Sequence, residues 1–484
     1  MKVSLLKAPI GGIIGLEMIT FVEPLGLECV AGSIEGDGHV CQIVDMRIDG
    51  VERGFEKVRA FGPDIVGLQC NFTTERYRSM RLARRVKRDF PDALVIIGGH
   101  DASRDPRWFL KPGIDVIVVG DGEEVMPPLV SAWEAKHDLR GVPGLVINGP
   151  TPIETGHAPS RRHIDELPFP ARHLIRDYAG EYYINFRRPL ALLETARGCP
   201  FKCNFCSVWK FHESTFREKS PERVVAELRQ IEAPNVFITD DIFWMNVKRG
   251  REMADALIES GIRKHYTLQT RSDIICKFPD LVEQWKGCGR MTVFLGLEKI
   301  DDAGLKSVNK KNTADNNNRA IRILQELGVG YTPNFIVDPT WDHEDFEKLK
   351  RWIDETGAYN SGFSVLTPLP GTDLWDETID EIQTDDWELF DIAHTVLPTK
   401  LPLHDFYREY ASLWKHAVDV RYRIEGKVKT HLGLLAALAT RKVTLGAMRK
   451  GMRMGNVLSD PRSFLRAHDE SASRLAEAQT LSAS

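Results

Sequence analysis

The sequence contains no run of about 18 or more apolar residues, so it carries no membrane-spanning helix that hydropathy would reveal. Charge of one sign is not in excess: 64 Lys and Arg face 69 Asp and Glu, for a net charge of -5 and a pI near 6.3. That balance argues against a surface built to hold nucleic acid. The chain also lacks the apolar poverty of a disordered protein, being 42% hydrophobic and 27% charged. A secretory leader is not expected. MKVSLLKAPIGGIIGLEM imitates one loosely, but KVSLLKAPI alternates like a first strand and no small-residue cleavage site follows. The expectation is a cytoplasmic protein. Cysteine is sparse, with eight residues in 484. Five are scattered in apolar surroundings, where a free thiol behaves as a small hydrophobe.

A length of 484 residues suggests two to four domains. From residue 1 to about 140, short β-branched runs alternate with amphipathic stretches of helical spacing. Strands are expected at 3–9, 39–46, 64–70, 93–99 and 114–120, with helices such as VERGFEKVRAF between them. Such alternation predicts a doubly wound parallel sheet with its ligand outside the carboxyl ends of the strands. Those ends carry Gln69, Gly98, Gly99, His100, Gly120, Gly122 and Glu123, and glycine there permits close backbone approach to a large flat ligand. Residues 141–185, rich in Pro, Gly and charge, read as an extended linker. Across 186–397 the alternation resumes, with strands at 190–196, 235–240, 266–272, 291–298, 331–338 and 362–369. About six β/α units predict a (β/α)6-type partial barrel with its chemistry at the strand C-terminal ends. Residues 398–484 read as a helical region.

Three cysteines are not scattered. Cys199, Cys203 and Cys206 form a C-x3-C-x2-C array directly after a strand. Three thiolates from one loop can hold three irons of a cubane and leave the fourth iron open. Structural zinc is the competing reading, with His212 the nearby candidate for a fourth ligand.

The array, with Phe205 before its last cysteine, resembles that of the radical S-adenosylmethionine (SAM) superfamily. IDELPFPAR, TARGCPFKCNFCSVWKF, FITDDIFWMN, FLGLEKIDDAGLKSVNK and TPLPGTDLW are similar to the subfamily with an N-terminal cobalamin-binding domain, over roughly residues 1–390. The resemblance implies three cofactors: a [4Fe–4S] cluster on the three cysteines, SAM and cobalamin. It also implies an electron donor such as flavodoxin or ferredoxin, and a class B methyltransferase that moves a methyl group to an unactivated carbon of a small-molecule or lipid substrate. A radical cyclisation or rearrangement without methyl transfer is the alternative, and a non-catalytic iron–sulfur or zinc scaffold a third. The D-x-H-x-x-G motif that supplies a cobalt-ligating imidazole in other cobalamin enzymes is absent. His100 could approach cobalt or serve as an ordinary loop residue.

The strand ends offer SAM contacts in Asp240, Asp241, Arg271, Glu298 and Thr367, together with Phe205. Acids suit the ribose diol or ammonium, and Arg suits the carboxylate. The competing readings are helix capping for Asp240 or Asp241 and a mutual salt bridge for Arg271 and Glu298. FVEPLGLECVAGSI and AHTVLPTKLPLHDFYREY are similar to the hopanoid C-3 methylases, which act on a pentacyclic triterpenoid lipid. Between Arg421 and Arg466 eleven Lys and Arg face two acids. An amphipathic basic stretch at 424–466 suits peripheral contact with the inner face of a membrane, or a solvated face over an apolar packing stripe.

Overall fold

The computed structural model describes residues 1–11, 20–158, 164–185, 187–426 and 445–483. The first sheet contains β1 (Lys2–Lys7), β2 (Val40–Asp45), β3 (Ile65–Gln69), β4 (Leu94–Gly98), β5 (Val116–Val118), β6 (Leu145–Ile147) and β7 (Ile153–Glu154), in spatial order β2-β1-β3-β4-β5-β6-β7. Pairing is parallel as far as β5. Helices Leu25–Gly36 and Gly122–Glu134 cover one face, burying Leu27, Ala31, Val125 and Leu129. Helices Val51–Phe61 and Arg76–Asp89 cover the other, burying Phe55, Val58, Met80 and Ala83. With both faces covered, strand residues such as Val3, Leu5, Val66 and Val95 are wholly or almost wholly buried.

The sheet runs further than expected. β6 pairs antiparallel with β5 and β7 with β6, so part of the stretch expected to be an extended linker is sheet edge. Pro and Gly dominate that stretch, yet Gly144–Leu–Val–Ile is enough for a short edge strand, where ladder interruptions are tolerated. The remainder crosses to the second sheet through a 3-10 segment, Arg172–Glu181. There Arg172 donates to Glu23, to Glu227 and to the Leu192 carbonyl, at 2.6, 3.0 and 2.7 Å. Removing one partner of a buried pair of this kind is costly because it strands the other charge.

The second sheet has six parallel strands lying in chain order: β8 (Leu190–Leu193), β9 (Asn235–Ile238), β10 (Lys264–Thr270), β11 (Gly289–Glu298), β12 (Gly330–Val337) and β13 (Gly362–Val365). Side chains alternate across it. Tyr266, Leu268, Val293, Leu295, Phe335 and Val337 are buried beneath the outer helices. Phe237, Gln269, Phe294, Asn334 and Ser364, on the other face, are partly or fully exposed, while Leu192, Thr267, Thr292 and Ile336 on the same face are buried. At its amino end Thr292 joins His265 at 3.1 Å and Arg187 at 3.2 Å. Beyond the barrel, helix Leu403–Glu425 lays Phe406, Tyr407, Tyr410 and Leu413 on the outer layer. Helices Leu445–Leu458, Pro461–Asp469 and Ser471–Ala483 follow. No helix among the described residues is long and apolar enough to cross a membrane.

Candidate active site

The cysteine loop leaves the carboxyl end of β8 and is braced from several sides. Cys206 N–H donates to the Cys203 carbonyl at 3.2 Å, and Trp209 Nε1 donates to the same oxygen at 3.1 Å. Asn204 N–H reaches the Val308 carbonyl at 3.3 Å, and Asn309 Nδ2 reaches that of Lys202 at 2.5 Å. Cys203 is buried, while Cys199 and Cys206 are half-buried. Burial pushes all three thiols up, Cys206 to about 12, against the pull of Phe201 and Val208 backbone groups. Arg271 acts on Cys199 and Cys203, and Lys310 on Cys203, in the opposite direction. Thiolates there need a positively charged partner, which is the donor chemistry of a metal cluster.

The zinc reading finds no support in this geometry. Among the described residues, no three His, Cys, Asp or Glu side chains stand where one metal ion could be shared. His212 turns instead to Arg217, with Nδ1 and Nη2 3.1 Å apart. A cubane takes one thiolate from each of the three cysteines, one per iron, and needs no fourth protein ligand.

The strand-end residues divide sharply. Asp240 is consumed internally: Oδ1 accepts from Thr195 N–H at 2.6 Å and Ala196 N–H at 3.0 Å, and Oδ2 accepts from the Thr195 hydroxyl at 2.5 Å. It stitches β8 to β9 and caps no helix. Asp241 accepts from Gly198 N–H at 3.2 Å, and burial raises its pKa to about 7. Gly198 immediately precedes the cluster motif, so Asp241 stands beside the cysteine loop with most of its carboxylate uncommitted. Arg271 and Glu298 do not pair with each other. Arg271 pairs with Asp273 at 2.9 Å and lies 3.8 Å from the Phe201 ring centroid, whereas Glu298 pairs with Lys310 at 2.8 Å. Thr367 is buried, its hydroxyl donating to the Val365 carbonyl at 3.0 Å. Phe205 is partly exposed on the cysteine turn.

The carboxyl edge of the first sheet faces this loop. His100 Nε2 lies 2.7 Å from Ser207 Oγ, and its ring centroid is 4.6 Å from that of Phe211. Burial pushes its pKa down to about 4. Glu123 accepts from Arg197 at 2.5 Å. Arg197 also pairs with Glu194 at 2.6 Å and Asp121 at 3.5 Å, and Asp121 in turn with Arg217 at 2.7 Å. This network ties the 120–123 loop to the residues entering the cluster motif. Arg197, Arg217, Asp121 and Ser207 were not singled out from the sequence, because the contacts that join the two domains through them are remote in the chain. Gln69 is buried at the end of β3. Gly99 has φ +113°, and a Cβ there would meet the Cys70 carbonyl at 2.7 Å, so its need for glycine is internal and does not by itself mark a ligand. Gly120 has φ +95° with room beside it, Gly98 would meet Val118 at 3.4 Å, and a Cβ on Gly122 would press on Val30 at 2.8 Å. The open edge between β1 and β3 nevertheless fits a flat cofactor, since Ile10 and Phe72 stand there half or more exposed.

Comparison with known proteins agrees with this architecture. Residues 12–130 match the B12 binding domain model and residues 193–353 the radical SAM superfamily model. The chain belongs to the cobalamin-binding radical SAM methyltransferase family, with cobalamin, a [4Fe–4S] cluster and SAM as cofactors. It is 34% identical over 435 residues to the hopanoid C-3 methylase of Methylococcus capsulatus, a match covering 89% of this chain and 81% of that protein. It is 29% identical to the anaerobic magnesium-protoporphyrin IX monomethyl ester cyclase of Cereibacter sphaeroides, across 80% of this chain and 65% of the cyclase. The hopanoid C-2 methylase of Rhodopseudomonas palustris is 26% identical over 76% of this chain and 66% of its own length. Among solved structures, the cobalamin-dependent SAM radical enzyme OxsB with aqua-cobalamin and SAM bound superposes with a TM-score of 0.69. Its sequence identity is 16%, and the match covers 97% of this chain and 75% of that one. The methyltransferase TsrM from Kitasatospora setae, with cobalamin and a [4Fe–4S] cluster bound, gives a TM-score of 0.64 at 17% identity, over 86% and 88% of the two chains. These two likenesses establish the fold.

Proposed function

We propose that this methyltransferase acts on C-3 of a hopanoid lipid. The observation that carries the reading is the match to the Methylococcus capsulatus enzyme, which runs through both domains and into the helical region. Its cofactors supply a methyl group and a carbon-centred radical. The chain's own contribution is to hold the three thiols on one braced turn, to position SAM and to shield the reacting carbon. Cys199, Cys203 and Cys206 are the cluster ligands in this reading. Asp241 is the acid offered to the SAM ammonium group, because its carboxylate is beside the loop and Asp240 is already satisfied. Phe237 and Phe294, whose ring centroids are 6.2 Å apart in the lumen, give a rigid polycyclic substrate apolar walls.

A hopanoid reaches the enzyme from a bilayer, and the exposed basic residues Arg449, Arg453, Arg462 and Arg466 suit an anionic surface. Residues 427–444, the rest of the basic stretch, lie outside the described residues. Flavodoxin or ferredoxin is the electron donor this chemistry calls for. The test is expression in a host that makes hopanoids without the 3-methyl group, followed by mass spectrometry of its lipids. An A-ring heavier by one CH2 supports the reading. Unchanged lipids, from protein shown to carry both cofactors, refute the substrate and return weight to the cyclase-like alternative that the Cereibacter relative represents.

A further inference from the structure

The cysteine loop is gripped from the B12 domain at both ends. On the amino side Arg197, two residues before Cys199, pairs with Glu123 at 2.5 Å and with Asp121 at 3.5 Å. On the carboxyl side Ser207, the residue after Cys206, meets His100, whose Nε2 lies 2.7 Å from the Ser207 hydroxyl oxygen. Among the described residues that hydroxyl has no other hydrogen-bond partner.

Both members of this second contact are held from behind. The backbone N–H of His100 donates to Asn71 Oδ1 at 3.2 Å, and its ring lies against Phe211 with centroids 4.6 Å apart. Ser207 stands at the N-cap of the single helical turn Val208–Phe211, its carbonyl accepting from Phe211 N–H at 2.9 Å. The Val208 N–H donates to the Cys206 sulfur, favouring the thiolate of a group whose pKa burial raises. That N–H belongs to the peptide that Ser207 begins, so the orientation of Ser207 sets the direction of the donor. Hydrogen bonds to cluster sulfurs stabilise the more negative, reduced state and so tune its potential. Burial keeps the His100 imidazole neutral, with a pKa near 4, so it reaches Ser207 as a hydrogen-bonding group and brings no charge to the cluster loop.

We propose that His100 is a positioning residue for the cysteine loop: through Ser207 it holds the Val208 N–H on Cys206 and thereby sets the potential at which the cluster accepts its electron. The proposal rests on the cluster assignment and is independent of the lipid substrate.

The reduction potential of the cluster is read by electron paramagnetic resonance during a redox titration of the full-length protein, reconstituted with iron, sulfide and hydroxocobalamin. Iron content and melting temperature show that each variant carries its cluster in a folded chain. His100→Ala should lower the equilibrium constant for one-electron reduction about threefold to tenfold, the ratio that one net hydrogen bond commands. Ser207→Ala should do the same, and the double variant should add nothing, because both changes remove one contact. His100→Gln, whose amide can reach the same hydroxyl, should restore the original potential. An unmoved potential in Ser207→Ala, additive shifts in the double variant, or no rescue by His100→Gln would each overturn the proposal. If His100→Ala loses cobalamin while the potential stays in place, His100 serves the other cofactor and the proposal is likewise wrong. Should His100→Ala fail to take up iron, Ser207→Ala decides alone: a lowered potential supports the proposal and an unchanged one refutes it. An unaltered protein that takes up no iron would instead refute the cluster assignment. No measurement involves a lipid, so failure here leaves the hopanoid reading standing, and failure of that reading leaves this one standing.

Discussion

Replacing Asp240 should damage the fold, whereas replacing its neighbour Asp241 should damage SAM binding. Asp240 is 2% exposed and holds two backbone N–H groups and one hydroxyl. In Asp240→Ala the N–H groups of Thr195 and Ala196 are stranded in the interior. Each unsatisfied group costs about 1–3 kcal/mol, so the loss is about 4 kcal/mol before any cavity is counted. That is a large share of the roughly 5–15 kcal/mol a domain possesses. Asp240→Asn should be mild. Both N–H groups share Oδ1 and can keep it, while the amide NH2 replaces Oδ2 and donates to the Thr195 hydroxyl. The carboxylate also carries a burial cost, which raises its pKa to about 6 and which the amide avoids. Asp241→Ala gives up one 3.2 Å bond to Gly198, worth about 1 kcal/mol. Denaturant midpoints for the three variants, followed by equilibrium dialysis of SAM, give the comparison. The reasoning fails if Asp240→Ala keeps the wild-type midpoint and loses SAM, or if Asp241→Ala binds SAM normally.

Further outcomes follow from the same geometry. Changing Cys199, Cys203 or Cys206 to Ala should abolish cluster absorbance and SAM cleavage, while Cys70→Ala, Cys276→Ala and Cys288→Ala should retain iron; an iron-free Cys276→Ala would mean the ligands are misassigned. Gly99→Ala should lower stability by about 1–3 kcal/mol, because its φ of +113° and the nearby Cys70 carbonyl both oppose a side chain; a melt unchanged by the substitution contradicts this. Burial holds His265 and His468 down to about 4, against 6.5 when unfolded. Between those values the unfolded chain binds more protons than the native one, so stability falls as pH drops from 6.5 toward 4. Thermal melts of the cofactor-free chain check the sign, and His468→Gln should flatten the slope. Binding to anionic vesicles should weaken with salt, and reversing Arg449, Arg453, Arg462 and Arg466 to Glu should abolish it while SAM cleavage persists; each contributes about 1 kcal/mol at such a surface. Salt-independent binding would point to apolar insertion.

The sequence by itself determined whatever depends on neighbours in the chain. Helices Leu25–Gly36 and Val51–Phe61 lie where their periodicity puts them, and every strand expected in both sheets exists to within a few residues of its ends. The cysteine array was legible for the same reason, since three ligands within eight positions need only one turn to bring them together. The edge strands at Leu145–Ile147 and Ile153–Glu154 were not, because Pro and Gly mask so short a strand and only pairing with Val116–Val118 creates it. The two adjacent acids were indistinguishable in sequence. The tertiary structure separated them by burying one against Thr195 and leaving the other beside Gly198, over forty positions away in each case. It likewise sent Glu298 to Lys310 and joined His100 to Ser207 across the domain boundary. Periodicity records which face of an element is buried, but a side chain's partner is fixed only when remote segments pack, and that choice is a property of the folded chain.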